Sequence, residues 1–258
     1  MTLDLGVLNS ATKYPSIDTY HTLNPANGGL LDEVMLFTGT VVLTEKVNGC
    51  NGRIIVLPDG DWFLGSREEL LYARGDRIEN PALSIVPVLK PLLNQITGRE
   101  RSGLGTPGIE VYFLEIYGHR IGSAAKQYTV LGNTGCRLFD IAWVPMTILN
   151  LPRPAVAGWR NRGGQLWNSE EYLQHAARET GIKLTPRLGT VDARELPVRL
   201  EDTPGFLLKY APHTQTSLDA DAGGAAEGIV LRTENRITIA KARFEDYERT
   251  FRLRKKKS

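Results

Sequence analysis

The sequence predicts an α+β fold in which antiparallel strands dominate. Three observations carry that expectation: β-branched and aromatic runs with period-two alternation, turn signals between successive runs, and helical patterns that are few and interrupted. The first run passes through Val41 and Val42 into Thr44, Glu45 and Lys46, a strand over 40–47. Segments 52–58 and 62–64 follow as antiparallel successors, with Pro58-Asp59-Gly60-Asp61 as a turn. Ser66-Arg67-Glu68-Glu69 has capping-box spacing and predicts a helix running on through Ala73. Residues 82–97 carry a helical apolar pattern broken or kinked at Pro87 and Pro91. Strands are expected over 109–117 and 137–144, and a connector rich in Pro, Arg and Gly over 145–165. Ser169 then caps a helix with Glu170 and Glu171 in its first turn, and Gly181 ends it. The small, polar segment 217–226 reads as a mobile loop, followed by strands 228–233 and 236–244 and a charged end, helical or disordered.

A chain of 258 residues can bury a substantial core, and one compact domain over 1–245 with a basic tail over 246–258 is the expected organisation. Hydrophobic content of 41% and charged content of 23% are ordinary for a globular protein, and a net charge of +2 gives no strong global field for nucleic acid. Basic character is local: Arg252, Arg254, Lys255, Lys256 and Lys257 suit phosphates or a solvated terminus equally. Cys50 and Cys136 make no disulfide framework, so a reducing, cytoplasmic setting is the default. No signal peptide and no membrane-spanning run are read. His21, His119, His175 and His213 are scattered and lack ligand spacing, which argues against structural zinc.

The chemistry concentrates in a few places. Lys46-Val47-Asn48-Gly49 puts a lysine at a strand end beside a turn that Gly49 is expected to make through positive φ. Gly103-Leu104-Gly105-Thr106-Pro107-Gly108 fits a dinucleotide fingerprint in letters only: it contains a proline and leads into a strand, so a loop is expected. No P-loop string exists. Glu115 shares a strand face with Val111, Phe113 and Tyr117, where a carboxylate needs a partner or a cleft. Asp140 poses the same problem, and Phe139 is expected on the opposite face with Ile141 and Trp143. Taken singly, a structural ion pair is one reading of Glu115, and Phe139 reads as core. Glu227 opens a strand after a flexible loop. Lys241 and Arg243, two apart, project to one face beside Ile237 and Ile239, which implies an anion nearby or an amphipathic edge.

Together, two cations, three strand-borne acids and a turn-flanked lysine describe a phosphate and metal cleft. Lysine-based nucleotidyl transfer is the reaction such a set could run. The amine must be neutral to attack, and its reference pKa of about 10.4 falls beside cations or on desolvation. Glu115 and Glu227 could hold Mg²⁺, which needs only one or two protein carboxylates plus phosphate oxygens. Phe139 could stack on the base.

The ordered set resembles the covalent nucleotidyltransferase superfamily of ATP-dependent ligases and capping enzymes, and within it the RNA ligase 2 family. Lys13-Tyr14-Pro15-Ser16-Ile17-Asp18 is similar to that family's opening segment. Asn51 matches an asparagine beyond its motif glycine, and Lys183-Leu184-Thr185-Pro186-Arg187-Leu188-Gly189 resembles a later segment, so the likeness covers roughly residues 13–245. The resemblance implies two antiparallel sheets flanked by helices with the nucleotide cleft between them, and an ATP-dependent polynucleotide ligase acting on RNA with Mg²⁺ or Mn²⁺. By that likeness Lys46 is the adenylated lysine, the backbone of Glu45, Lys46, Val47 and Asn48 lies at the nucleotide, and Phe139 stacks on adenine. Arg67 and Glu115 contact ribose and phosphate, Glu115 and Glu227 lie near the metal, Lys241 and Arg243 lie at the AMP phosphate, and Asn51 acts in the nucleic-acid steps. Arg243 departs from the pattern, which has lysine there, and arginine is not its geometric equal. Neither an OB-fold nor a helical C-terminal domain follows in this sequence, so nick recognition would fall to a partner protein or an oligomer. The alternatives are a minimal DNA ligase, a GTP-dependent guanylyltransferase, or a non-catalytic nucleic-acid-binding subunit of a repair complex.

Overall fold

The computed structural model describes residues 3–74, 76–77, 84–98 and 108–255. The first half of the chain runs α1 (Leu5–Thr12), β1 (His21–Leu23), β2 (Leu30–Val34), β3 (Thr40–Lys46), β4 (Cys50–Val56), β5 (Trp62–Ser66), β6 (Leu70–Ala73), β7 (Asp76–Arg77), α2 (Ile85–Leu89), α3 (Leu93–Thr97) and β8 (Gly108–Gly118). It continues with α4 (Ala125–Tyr128), β9 (Thr134–Pro145), α5 (Arg153–Asn161), β10 (Leu166–Trp167), α6 (Glu170–Thr180), β11 (Arg187–Asp192), α7 (Thr203–Tyr210), β12 (Gly228–Thr233), β13 (Ile239–Arg243) and α8 (Phe244–Lys255). The fold is α+β, with antiparallel sheets flanked by helices. Two compact units form. The first takes Met1–Pro15, Gly49–Ala125 and Thr134–Leu184; the second takes Ser16–Asn48, Lys126–Asn133 and Thr185–Ser258.

In the first unit a seven-stranded sheet runs in the order β10-β9-β8-β4-β5-β6-β7. Both faces are apolar, because helices cover both. Ile54, Leu64, Tyr112, Leu114 and Ile116 pack with Leu89, Ile96 and Leu173 on one side. Ile55, Val111, Phe113 and Ala142 pack with Val7 and Leu8 of α1 and Val156 of α5 on the other. In the second unit the sheet order is β11-β3-β12-β13. Val41, Leu43, Ile229, Leu231, Ala240 and Ala242 face Leu207 of α7 and Tyr247 of α8. Each fully buried Val, Leu or Ile side chain there contributes about 1.5–3 kcal/mol. Among the described residues no helix is long and apolar enough to cross a membrane.

The expected strands and the Ser169-capped helix form. The Ser169 hydroxyl accepts from the Tyr172 amide, and Gly181 ends α6 in the left-handed region. The 82–97 pattern is two short helices joined by a 3₁₀ turn at Lys90–Leu92, as Pro91 requires. Three of these expectations are corrected. Ser66 does accept from the amides of Glu68 and Glu69, as an N-cap would, but Leu70–Ala73 pairs with β5 as a strand. The capping chemistry closes a hairpin turn, and Leu70 and Leu71 gain more from the sheet cores than one helical turn could return. Segment 145–165 is no bare connector: α5 starts with prolines at its N-terminus, where a missing N–H costs nothing, and buries Val156. In β13 the strand begins at Ile239, and Ile237 lies exposed in the preceding turn. The fingerprint-like segment lies outside the described residues up to Gly108, which opens β8.

The loop 217–226 is irregular but anchored. The Asp219 carboxylate accepts from the Val130 amide at 2.6 Å, the Leu131 amide at 2.9 Å and the Thr129 hydroxyl at 2.5 Å, and from the Asn133 side chain. The Leu131 amide and then the Thr129 hydroxyl lead in holding its pKa down, from 3.8 to about 2. A depressed carboxylate stabilises the fold above its unfolded pKa, and that contribution disappears as pH falls through the folded value. The thermal midpoint is therefore expected to fall as pH drops from about 4 toward about 2, and less so in Asp219→Asn, which cannot titrate. Parallel pH profiles for the two proteins would remove Asp219 from the acid response.

Basic residues at the chain end sit on α8. Arg254 pairs with Asp32 at 3.2 Å and Glu201 at 3.1 Å, while Lys256 and Lys257 lie outside the described residues.

Candidate active site

In the second unit, strand pairing sets the geometry. Lys46, Gly228 and Arg243 stand opposite one another across β3, β12 and β13, and Thr44, Val230 and Lys241 form the next row. Opposed residues share a sheet face, so Lys46, Lys241 and Arg243 project together, away from the apolar core that Leu43, Ile229 and Ala242 build. Lys46 Nζ donates to Glu227 Oε2 at 2.7 Å, with side-chain exposures of 26% and 12%. This is no solvated surface lysine.

Arg243 sits 3.8 Å from the other oxygen of Glu227. Its Nε and Nη2 donate to Asp246 at 2.8 and 2.9 Å, and its Nη1 lies 2.7 Å from Glu245. Burial pulls its pKa down, but Asp246, Glu245 and Glu227 outweigh burial and hold it above the ordinary value. Asp246 is 1% exposed and is itself shared with Arg249 at 2.5 Å.

Glu45 points the other way from Lys46 and is buried. Its carboxylate accepts from the Thr214 hydroxyl and the Gln215 amide, and its own amide donates to the Pro186 carbonyl. A buried carboxylate costs several kcal/mol unless so satisfied. It ties the end of β3 to the segment that leads on to Glu227. Val47 is buried, and the Asn48 amide donates to the Tyr128 hydroxyl at 2.7 Å.

Gly49 belongs to the first unit, and its expected role is corrected. It does not adopt positive φ. A Cβ there would lie 2.1 Å from the Ile116 carbonyl oxygen, so glycine is needed for close backbone approach to β8. Its amide donates to Glu115 Oε1 at 3.0 Å. Asn51, Glu115 and Arg137 stand opposite one another across β4, β8 and β9. Asn51 Oδ1 is buried and no donor reaches it among the described residues. Arg67, in the turn after β5, is more than half exposed and 3.6 Å from Glu68.

Phe139 departs from its expected face. Phe113 pairs with Asp140 while Leu114 pairs with Leu138, so β9 carries an extra residue at Phe139. The bulge turns Phe139 and Asp140 to the same side. Tyr14 meets both: its ring lies 5.0 Å from Phe139, edge-on, and its hydroxyl donates to Asp140 at 2.9 Å. Period-two alternation cannot reveal a bulge, and nothing else in the strand's letters marks it.

Sequence reasoning also passed over Arg53, Asp219 and Asp246. Arg53 is fully buried and its pKa is pushed down to about 9, mainly by burial. A basic residue two positions past Asn51 in an apolar strand was its available signal. Among the described residues no group of three or more His, Cys, Asp or Glu is placed to hold a metal. Glu115 lies in the first unit and Glu227 in the second.

A family model for RNA ligase matches residues 39–246. No curated protein matches the sequence in a direct search. Among solved structures, an apo aspartate-to-alanine mutant of Naegleria gruberi RNA ligase is similar, with a TM-score of 0.56 and 14% identity, over 96% of this chain and 59% of that one. A glutamate-to-alanine mutant of that ligase with ATP and Mn gives 0.53 and 14%, over 93% and 62%. The same ligase with PPi gives 0.52 and 14%, over 95% and 64%. At that identity the likeness establishes the fold, and the chain spans less than two thirds of that ligase's length.

Proposed function

Because this chain belongs to the RNA ligase family, we propose that it is an ATP-dependent RNA ligase joining 3′-OH and 5′-phosphate ends through a lysyl-AMP intermediate. The observation that carries the reading is Lys46: a half-buried amine at a strand end, held by Glu227 on a face it shares with Lys241 and Arg243. A purely binding surface has no use for a nucleophile so held.

In the first step the Lys46 Nζ–phosphorus bond forms, the bond to pyrophosphate breaks, and the amine gives up a proton. AMP then passes to a 5′-phosphate, and attack by a 3′-OH seals the strand and releases AMP. Lys241 and Arg243 bind the AMP phosphate, where their charge offsets what develops on the phosphoryl oxygens. The backbone of Glu45, Val47 and Asn48 lies along the nucleotide, and Phe139, half-buried on its bulge, offers a ring to the base. Arg67 and Glu115 bind the ribose and phosphate region. Asn51 acts in the nucleic-acid steps. Glu227 and Glu115 would each be a carboxylate for Mg²⁺ or Mn²⁺, which when bound would neutralise phosphate charge. RNA with a 5′-phosphate end is the substrate.

The test is intact mass after incubation with Mg²⁺ and ATP or GTP, with and without chelator. An AMP adduct with ATP, absent with chelator, is expected. A GMP adduct would move the chain to guanylyl transfer. An unmodified mass throughout, from protein unmodified at the start, would end the catalytic reading.

A further inference from the structure

On the first unit, α1 and α5 frame a recess of about 360 Å³ lined by Ser10, Lys13, Arg153, Pro154, Ala157 and Arg160. Half of that lining is cationic. A structural role accounts for part of the charge. The carbonyls at the C-terminal end of α1 are met by side chains: Arg53 donates to Asn9, Arg160 to Ser10 at 2.6 Å, and Gln165 to Ala11 and Lys13 at 3.0 Å. Such carbonyls amount to about half a negative charge, too little to balance two guanidinium groups.

Lys13 and Arg153 are not explained that way. Lys13 pairs with Glu68 at 2.7 Å. Arg153, exposed in the first turn of α5, makes no ion pair among the described residues. Lys13, Arg53 and Arg160 therefore share one carboxylate, Glu68, whose own pKa is held down by Lys13 first and by Arg67 and Arg53 as well, while Arg153 lies on the Asp4 side of the recess. Arg160, lowered chiefly by burial, in turn lowers Arg53. A solvated convex face would let such charges spread apart. Here Lys13, Arg153 and Arg160 line one concavity, where low-dielectric walls focus the field.

We propose that this recess is a phosphate-binding site that engages the RNA strand through residues given no role in adenylylation. Naming the ligand as RNA rests on the ligase reading; the anion chemistry does not. Either an internal phosphodiester or the terminal 5′-phosphate could supply the group.

The experiment is fluorescence anisotropy across a salt series, using single-stranded RNA carrying either a 5′-phosphate or a 5′-hydroxyl. Two variants probe the recess independently: Arg153→Glu reverses a charge that has no ion-pair partner among the described residues, and Ala157→Glu adds a carboxylate without removing a cation. Both should keep the wild-type thermal midpoint. Both should bind about tenfold more weakly at low salt, with the log–log salt slope shallower by about 0.7 for each phosphate no longer neutralised. Equal weakening on both RNAs assigns the site to the backbone, and weakening on the phosphorylated RNA alone assigns it to the 5′ end. Wild-type affinity and slope in both variants overturn the proposal. A wild-type protein that binds RNA but takes no AMP from ATP would defeat the ligase reading while leaving these comparisons readable.

Discussion

Lys46→Arg protein incubated with ATP and Mg²⁺ should remain at its starting mass, while the unsubstituted chain gains AMP. Arginine keeps a cation opposite Glu227, so the 2.7 Å ion pair has a successor and the sheet row Lys46-Gly228-Arg243 keeps its charge. What it cannot do is attack, because a guanidinium stays protonated at any working pH. The variant separates the nucleophile from the ion pair, which alanine would remove together. The expected effect is complete: no adduct, and no sealing of RNA ends that have not been adenylylated beforehand. An AMP adduct on the Lys46→Arg chain would place the chemistry on another residue.

Glu227→Ala should lower the rate of adduct formation by about 10²–10³, the usual cost of losing one preorganised electrostatic group. Two effects add. Lys46 loses the acceptor that orients Nζ, and Arg243 loses a neighbour at 3.8 Å. Because Glu227 is only 12% exposed, the loss exceeds that of a surface pair, worth about 0–1 kcal/mol. Glu227→Gln, which keeps the shape and a hydrogen bond but not the charge, should fall between. A rate within about twofold of wild type in Glu227→Ala would remove it from the reaction.

Much of this arrangement was legible in the letters. Strand-end placement of Lys46, the shared face of Lys241 and Arg243, and the carboxylate in β8 all follow from period-two alternation, which is local. What escaped depends on partners far along the chain. Ser66 shows helix-capping chemistry, yet whether its amide contacts open a helix or a hairpin is decided by β5. Phe139 changes face because β8 skips it. Gly49 is small for the sake of Ile116, not for its own φ. Arg53 reads as an anomaly in an apolar strand until the end of α1 arrives to accept its protons. Asp219, in a stretch of small polar residues, carries no sign that the 129–133 segment will close on it.

The fork between Arg243 and Asp246 limits which residues position 243 can carry. Arginine meets the 1%-exposed Asp246 with two bonds and leaves its third nitrogen toward Glu245, and Arg249 takes up the remaining charge. A lysine would bring one ammonium to a carboxylate shaped for a bidentate guest and leave part of a buried charge unanswered. Residue 243 is therefore not free to drift between the two basic amino acids. Arg243→Lys alone is expected to lower the thermal midpoint, and to cost less where Asp246 and Arg249 are changed with it. The three positions form one coupled set: an exchange that looks conservative on paper carries a cost that does not add simply to changes at the other two.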